Sequence, residues 1–141
     1  MSSATPADVL ARRRHLTLSG DADGLADLFA PNAVIEFSFH GPPGTPIRLE
    51  GREAIREYSR RAMALPLRLE DYEVAELYQA HDPEVVIAEV RTKATVTTTG
   101  RSLTATSIQI LRIREGHIVL FRDFANPRVL EDAIAQPRPE S

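Results

Sequence analysis

The second half of this sequence is a nearly unbroken series of strand-forming residues, and this feature limits the possible folds more than any other. β-branched residues are frequent in "VVIAEVRTKATVTTT" (85–99) and "SLTATSIQILRI" (102–113), and "IVLFRDFAN" (118–126) follows. Such residues pack well on a pleated surface. Turn-forming residues interrupt the series at "HDPE" (81–84), at Gly100 and at "REGH" (114–117). With the weakly alternating "EDYEVAELYQA" (70–80), the pattern predicts several long antiparallel strands.

The first half instead shows helical spacing. Apolar residues recur with that spacing over 7–19, which Gly20 ends, and a second helix is predicted over 24–30, capped by Asp21 or Asp23 and closed by Pro31. A strand over 33–39, a loop over 40–46 and a third helix over 51–65 follow. Helices grouped before a meander indicate an α+β fold, with the helices packed on one face of a curved sheet.

Composition excludes several classes of function. The 141 residues suit a single domain, and we expect the polar segments 1–6 and 136–141 to be frayed tails. A net charge of −3 gives no basic field for nucleic acid. No apolar run reaches the length of a membrane span, which together with the absence of cysteine indicates a cytoplasmic protein. The four histidines are scattered and show no ligand spacing, so no metal site is predicted.

The motif order resembles a known superfamily. The segments "GDADGLADLFAPNAVIEF", "LEGREAIREY" and "REGHIVLFRDFANP", in this order and spacing, resemble the nuclear transport factor 2-like superfamily. Within it, the chain is most similar to SnoaL-like polyketide cyclases and ketosteroid-isomerase-like proteins. The resemblance implies a cone: a strongly bent mixed or antiparallel sheet wrapped around the N-terminal helices, with a pocket at the open end. It also implies an enzyme of secondary metabolism that needs no cofactor.

Strand alternation then assigns side chains to faces. On 85–96 the charged residues Glu89, Arg91 and Lys93 mark the outer face. On the last strand the alternation alone leaves both faces possible, because both carry apolar residues. The resemblance implies that Phe121 and Asp123 point into the pocket. It places Arg122 and Phe124 on the outer face, through which such proteins form homodimers.

The resemblance to ketosteroid isomerase does not extend to its active site. That enzyme uses an aspartate base with a tyrosine and a protonated aspartate as oxyanion donors. The corresponding positions here are Phe37, Arg13 and Gln109. Because a phenylalanine cannot accept a proton, a steroid isomerase of that design is not predicted.

The cyclase pattern fits better, since it needs a single acid on the final strand. Asp123 occupies that position, and in an apolar pocket its pKa should rise, which suits abstraction of a proton next to a carbonyl. The predicted substrate is therefore a small apolar carbonyl compound. Further residues predicted to face it are Gln109 as an enolate donor, Ser107 and Thr92 as hydrogen-bonding groups, Tyr58 as a phenolic donor, Phe37 and Phe121 as cavity walls, and Arg13 as an internal cation.

Several alternatives remain open at this point. Asp123 could be a structural partner of Arg13, and Gln109 could be a satisfied buried amide. An epoxide hydrolase or epoxide-opening cyclase on this fold would need an inward Arg-x-Asp pair, whereas "AEVRTK" carries Glu89 and Arg91 in reversed order. A non-catalytic carrier of small ligands, or a dimerisation module, would need no acid chemistry.

Overall fold

A computed structural model describes residues 4–42 and 44–135 of the chain. The order of elements is helix, helix, two strands, helix, four strands and a final helix. They are α1 (Pro6–Ser19), α2 (Ala22–Asp27), β1 (Phe29–Phe37), β2 (Ile47–Glu50), α3 (Arg52–Met63), β3 (Leu67–Gln79), β4 (Val85–Val96), β5 (Ser102–Arg114), β6 (His117–Asp123) and α4 (Pro127–Ala135).

The strands form one curved, unclosed sheet in the order β2-β1-β6-β5-β4-β3. All pairings are antiparallel except that of β1 with β6, which is parallel. The register shifts between Leu69 and Asp71 and between Val74 and Glu76 of β3, and such irregularities increase the bend of a sheet. The predicted α+β architecture with a curved mixed sheet is thus confirmed.

The N-terminal helix is capped at both ends. The Thr5 hydroxyl accepts from the backbone of Asp8 at 3.2 Å, and the Asp8 carboxylate accepts from the Thr5 backbone at 3.0 Å. Gly20 ends the helix with a φ of 72°. The predicted N-terminal frayed tail therefore overlaps ordered structure at Thr5 and Pro6, while residues 1–3 and the predicted tail 136–141 lie outside the described residues.

The strand β1 starts and ends earlier than predicted. Ile118 donates its backbone N–H to Leu28 at 2.8 Å, which draws residues 29–31 into the sheet, so α2 ends at Asp27 and not at Pro31. The pairing of β1 with β6 is irregular between Phe29 and Val34, which accommodates a proline without an N–H. At its other end β1 stops at Phe37, and Phe39 is exposed in a turn.

Two elements were not predicted. The strand β2 has four residues, too few for a visible alternation, and it pairs with β1 at the edge of the sheet. The helix α4 begins at Pro127, shortly after the end of β6. Proline fits the first turn of a helix, where its missing N–H would have no partner.

The core lies between the inner face of the sheet and the helices. Val9 and Leu10 of α1, Leu25 of α2 and Ile55 of α3 pack against buried strand residues. On β4 the buried residues alternate with Glu89, Arg91 and Lys93, which confirms the predicted outer face. Within the described residues, no helix is both long and apolar enough to span a membrane.

Candidate active site

A cavity of about 230 Å³ lies between α1, α3 and the carboxyl ends of β1 and β6. We call it the Asp123 cavity. Its walls are mostly apolar, and its polar groups come from α1, α3 and β6. The lining residues are Arg13, Thr17, Leu25, Phe29, Ile35, Phe37, Tyr58, Ser59, Ala62, Met63, Phe121 and Asp123.

The register of the sheet directs Asp123 into this cavity. Asp123 lies beside Phe37 of β1 and opposite Gln109 of β5, and all three share the inner face. Phe121, two positions earlier, is only 2% exposed on the same face. The adjacent Arg122 turns to the outer face, where its guanidinium carbon lies 5.4 Å from the ring centroid of Phe124.

One of the two oxygens of the Asp123 carboxyl group lacks a hydrogen-bond donor. Its Oδ1 atom is fully buried and meets no donor among residues 4–42 and 44–135. Burial raises the pKa of this carboxyl, against the smaller opposing effects of the positive charges of Arg13 and His40 and of the Ala125 backbone. A carboxylate in this setting is a stronger base than one in water.

The second charged group in the cavity is Arg13. Its guanidinium lies 4.5 Å from the ring centroid of Phe121, a cation–π contact, and its Nε is buried without a hydrogen-bond partner in the described part of the chain. Arg13 and Asp123 form no ion pair with each other in that part, so the structural pairing considered above is not formed. Of the three consecutive arginines, Arg12 is exposed and Arg14 donates to the Tyr72 carbonyl at 2.7 Å.

Tyr58 brings a phenol to the opposite wall. Its ring contacts Phe37 with 5.0 Å between centroids. Burial raises the pKa of Tyr58, and the negative charge of Asp123 raises it further. The phenol is therefore protonated at neutral pH and can donate a hydrogen bond.

Three of the predicted residues do not line the Asp123 cavity. Gln109 is buried opposite Asp123, and its Oε1 accepts from the Tyr72 hydroxyl at 3.5 Å. Ser107 pairs with Val90 further along β5. Thr92 donates to the Ala105 carbonyl at 3.5 Å. The alternation placed all three on the inner face correctly, but it could not locate them along the cone.

The structure also adds residues that the sequence did not single out. Thr17 lies one turn after Arg13 on α1, and Ala62 lies one turn after Tyr58 on α3, so helical spacing could have identified both. His40 packs on Phe37 with 5.1 Å between ring centroids, next to the cavity. The adjoining "GPPG" indicates a position at the rim of a pocket, but the approach of His40 to the cavity depends on the path of the loop after β1.

The acid–arginine pair of an epoxide hydrolase is not formed on β4. Glu89 and Arg91 lie on the outer face, while Ala88 and Val90 between and beside them are buried. The predicted outward orientation of this pair is confirmed. Among the described residues, no group of three acidic or histidine side chains is arranged to hold a metal ion.

Known proteins resemble this chain in sequence and architecture. The SnoaL-like domain profile matches residues 12–121. An uncharacterised PhzA/B-like protein of Pseudomonas aeruginosa is 38% identical over 121 residues, which cover 85% of this chain and 83% of the relative. A Bacillus subtilis protein of known crystal structure, provisionally named an isomerase, is 29% identical to this chain in sequence and superposes with a TM-score of 0.82 over 95% of both chains. A Catenulispora acidiphila protein with a ketosteroid isomerase-like fold, solved with trimethylamine bound, is 17% identical, with a TM-score of 0.77 over 98% of this chain and 99% of that one.

Proposed function

The chain belongs to the SnoaL-like domain family, and from that membership we propose that it is an acid–base enzyme acting on a small apolar carbonyl compound. The reaction would be an isomerisation or an aldol-type cyclisation, in which a proton leaves the carbon next to the carbonyl. The observation that carries this proposal is the fully buried Oδ1 of Asp123, which has no donor among the described residues and lines an apolar cavity.

Asp123 is the proposed general base. Its carboxylate takes the α-proton of the substrate. In an isomerisation it returns the proton to another carbon, and in an aldol-type cyclisation it returns the proton to the alkoxide oxygen left when the new carbon–carbon bond forms, so that the enzyme ends each turnover in its starting charge state. The raised pKa of Asp123 brings it closer to that of a carbon acid and strengthens it as a base. The apolar walls formed by Phe37 and Phe121 keep water from solvating the carboxylate.

The enolate formed in this step needs a partner of positive charge or a hydrogen-bond donor. We assign this role first to Arg13, whose guanidinium lies in the cavity and whose Nε has no other partner among the described residues. The Tyr58 phenol, on the opposite wall, is the second donor. Gln109, Ser107 and Thr92 lie outside this lining, and we keep them as contacts for a larger substrate.

The test uses a probe, since the proposal names only a class of substrate. 2-Tetralone is an apolar ketone with acidic α-protons, and their exchange in D₂O can be followed by ¹H NMR. Wild-type protein should accelerate this exchange, and Asp123→Asn should reduce the acceleration by on the order of 10²–10⁴. Glu36→Gln, a matched change on the outer face of the sheet, is the control. If Asp123→Asn keeps the rate within about threefold, the general-base role is wrong, and a non-catalytic carrier becomes the better reading.

We propose in addition that the outer face of the sheet forms a homodimer. Tyr78 is 51% exposed and Ile108 is 39% exposed on this face, next to the half-buried Ile87 and Ile110. An apolar patch on a sheet face is a common interaction surface. Ile108→Asp should yield a monomer by light scattering, whereas Leu77→Asp, on the other face of β3, should not. A monomeric wild-type protein would contradict the proposal.

A further inference from the structure

A second cavity, of about 430 Å³, adjoins the Asp123 cavity at the carboxyl ends of α1 and α3. We call it the distal chamber. It is bounded by two helix ends, the start of β3 and a small residue of β4. Its lining residues are Thr17, Leu18, Ser19, Gly20, Ala62, Met63, Leu67, Arg68, Leu69 and Ala94.

The two cavities share a wall that consists of only three residues. Thr17, Ala62 and Met63 line both of them. Thr17 and Ala62 are small, so the side chain of Met63 forms most of the partition. Its Sδ lies 3.8 Å from the position that a Cβ on Gly20 would take, and Gly20 itself carries no side chain to hold it. A methionine side chain is unbranched and adapts readily to a ligand.

The two cavities differ in chemistry. The Asp123 cavity has a carboxylate, a guanidinium and a phenol, whereas the distal chamber has no acidic residue in its lining. The Thr17 hydroxyl is already used, because it donates to the Arg13 carbonyl at 2.7 Å. Arg68 is turned to Glu70 at 3.0 Å and stays at the exposed rim. What remains for a ligand is hydrocarbon surface from Leu18, Met63, Leu67, Leu69 and Ala94.

We propose that the distal chamber binds an unbranched alkyl chain, and that the substrate is a ketone whose carbonyl lies at Asp123 while its chain passes Met63. This assignment of the substrate class rests on the proposed function of Asp123. The polar carbonyl end of such a ketone matches the polar groups of the Asp123 cavity, and its alkyl chain matches the hydrocarbon lining of the distal chamber. A compact ketone would fill the Asp123 cavity and leave the chamber unused.

The test is a binding series with methyl ketones from 2-hexanone to 2-dodecanone, measured by isothermal titration. In the wild-type protein, each added methylene that enters the chamber should lower Kd by about fourfold, until the chain fills it. Ala94→Phe places a ring in the chamber, away from Asp123, and should abolish this dependence while 2-hexanone still binds within about twofold. Ala11→Phe, an exposed position on α1 outside both cavities, is the matched control.

A second variant keeps the test valid if Ala94→Phe does not fold. Leu69→Gln introduces a polar group into the chamber and should weaken 2-dodecanone more than 2-hexanone. The proposal is overturned if log Kd depends on chain length equally in the wild type and in a folded chamber variant. It is also overturned if Kd does not change with chain length in the wild type. Exchange of 2-tetralone protons in the same samples tests the base separately. If the wild-type protein does not accelerate exchange but its Kd still falls with chain length, the result counts against the chemistry of Asp123 and not against the chamber.

Discussion

Two carboxylates stand almost side by side on β1 and β6, and their surroundings are opposite. Glu36, on the outer face, lies 2.9 Å from Nη1 of Arg48 and 3.3 Å from Nε of Arg122. Asp123, on the inner face, has a buried oxygen without a donor in the part of the chain that the structure describes. Between β1 and β6, Glu36 pairs with Arg122 and Phe37 pairs with Asp123. The two carboxylates are therefore one residue apart in the strand register but lie on opposite faces of the sheet.

The difference shows what each carboxylate can do. The Glu36 carboxylate is already occupied by two arginine side chains, which leaves it unavailable to a ligand. One that is buried and unpaired keeps its capacity to bind a proton or a ligand group, at a cost to stability. The outer face of this pair of strands thus stabilises the sheet, and the inner face is where we place the chemistry.

Among changes in the surroundings of Asp123, the largest expected effect comes from removing the cation beside it. Arg13→Met should lower the rate of 2-tetralone exchange by on the order of 10²–10³, because the enolate loses its positive partner. Arg12→Met, the exposed neighbour on α1, should leave the rate unchanged. An equal loss in both variants would show that Arg13 acts through the helix and not through the cavity.

A smaller effect, with a revealing sign, is expected in the free energy of unfolding. Glu36→Gln should destabilise the protein by about 1 kcal/mol, because it breaks the ion pairs of Glu36 with Arg48 and Arg122, both of which are roughly half exposed. Asp123→Asn should stabilise it by on the order of 1 kcal/mol at pH 7, because it replaces a desolvated negative charge with a neutral amide. Urea unfolding measures both values. Changes of the same sign would remove the contrast between the two faces.

The pH dependence of the second change follows from linkage. The folded-state pKa of Asp123 is raised from 3.8, so the folded protein binds more protons than the unfolded chain between the two pKa values, and stability falls as pH rises through that window. The advantage of Asp123→Asn should therefore be complete above the folded pKa and vanish near pH 3.8. A constant advantage at every pH would mean that the amide gains from a new contact instead.

The smallest expected effect is a displacement of the pH–rate profile. The exchange rate should rise with pH through the pKa of Asp123, with a midpoint above 3.8. Arg13→Lys retains the charge and should leave the midpoint nearly unchanged, while His40→Gln removes a weaker positive influence and should move it upward. A midpoint at or below 3.8 would contradict the burial of Asp123 in solution.

The sequence predicts the sheet far better than it predicts the cavity. Long β-branched strands and helices with capping signals identify themselves locally, which is why the α+β fold and the outward Glu89 and Arg91 could be predicted. The inward turn of Asp123 needed a family resemblance, because both faces of β6 are apolar. The depth of Gln109, Ser107 and Thr92 along the cone depends on the curvature of the sheet. The approach of His40 to the cavity depends on the path of a loop. Neither the curvature of the sheet nor the path of this loop can be predicted from a local sequence pattern.

The parallel pairing of β1 with β6 also bears on how the protein folds. It joins the first strand of the chain to the last, whereas β3, β4, β5 and β6 are linked by short turns such as the one at Glu115 and Gly116, both with positive φ. Contacts between distant segments carry the larger loop-closure entropy and form later than local hairpins. During refolding, strand formation seen by circular dichroism should therefore precede the ability to bind a ketone. A chain arrested before this closure would have most of its hairpins and no binding site.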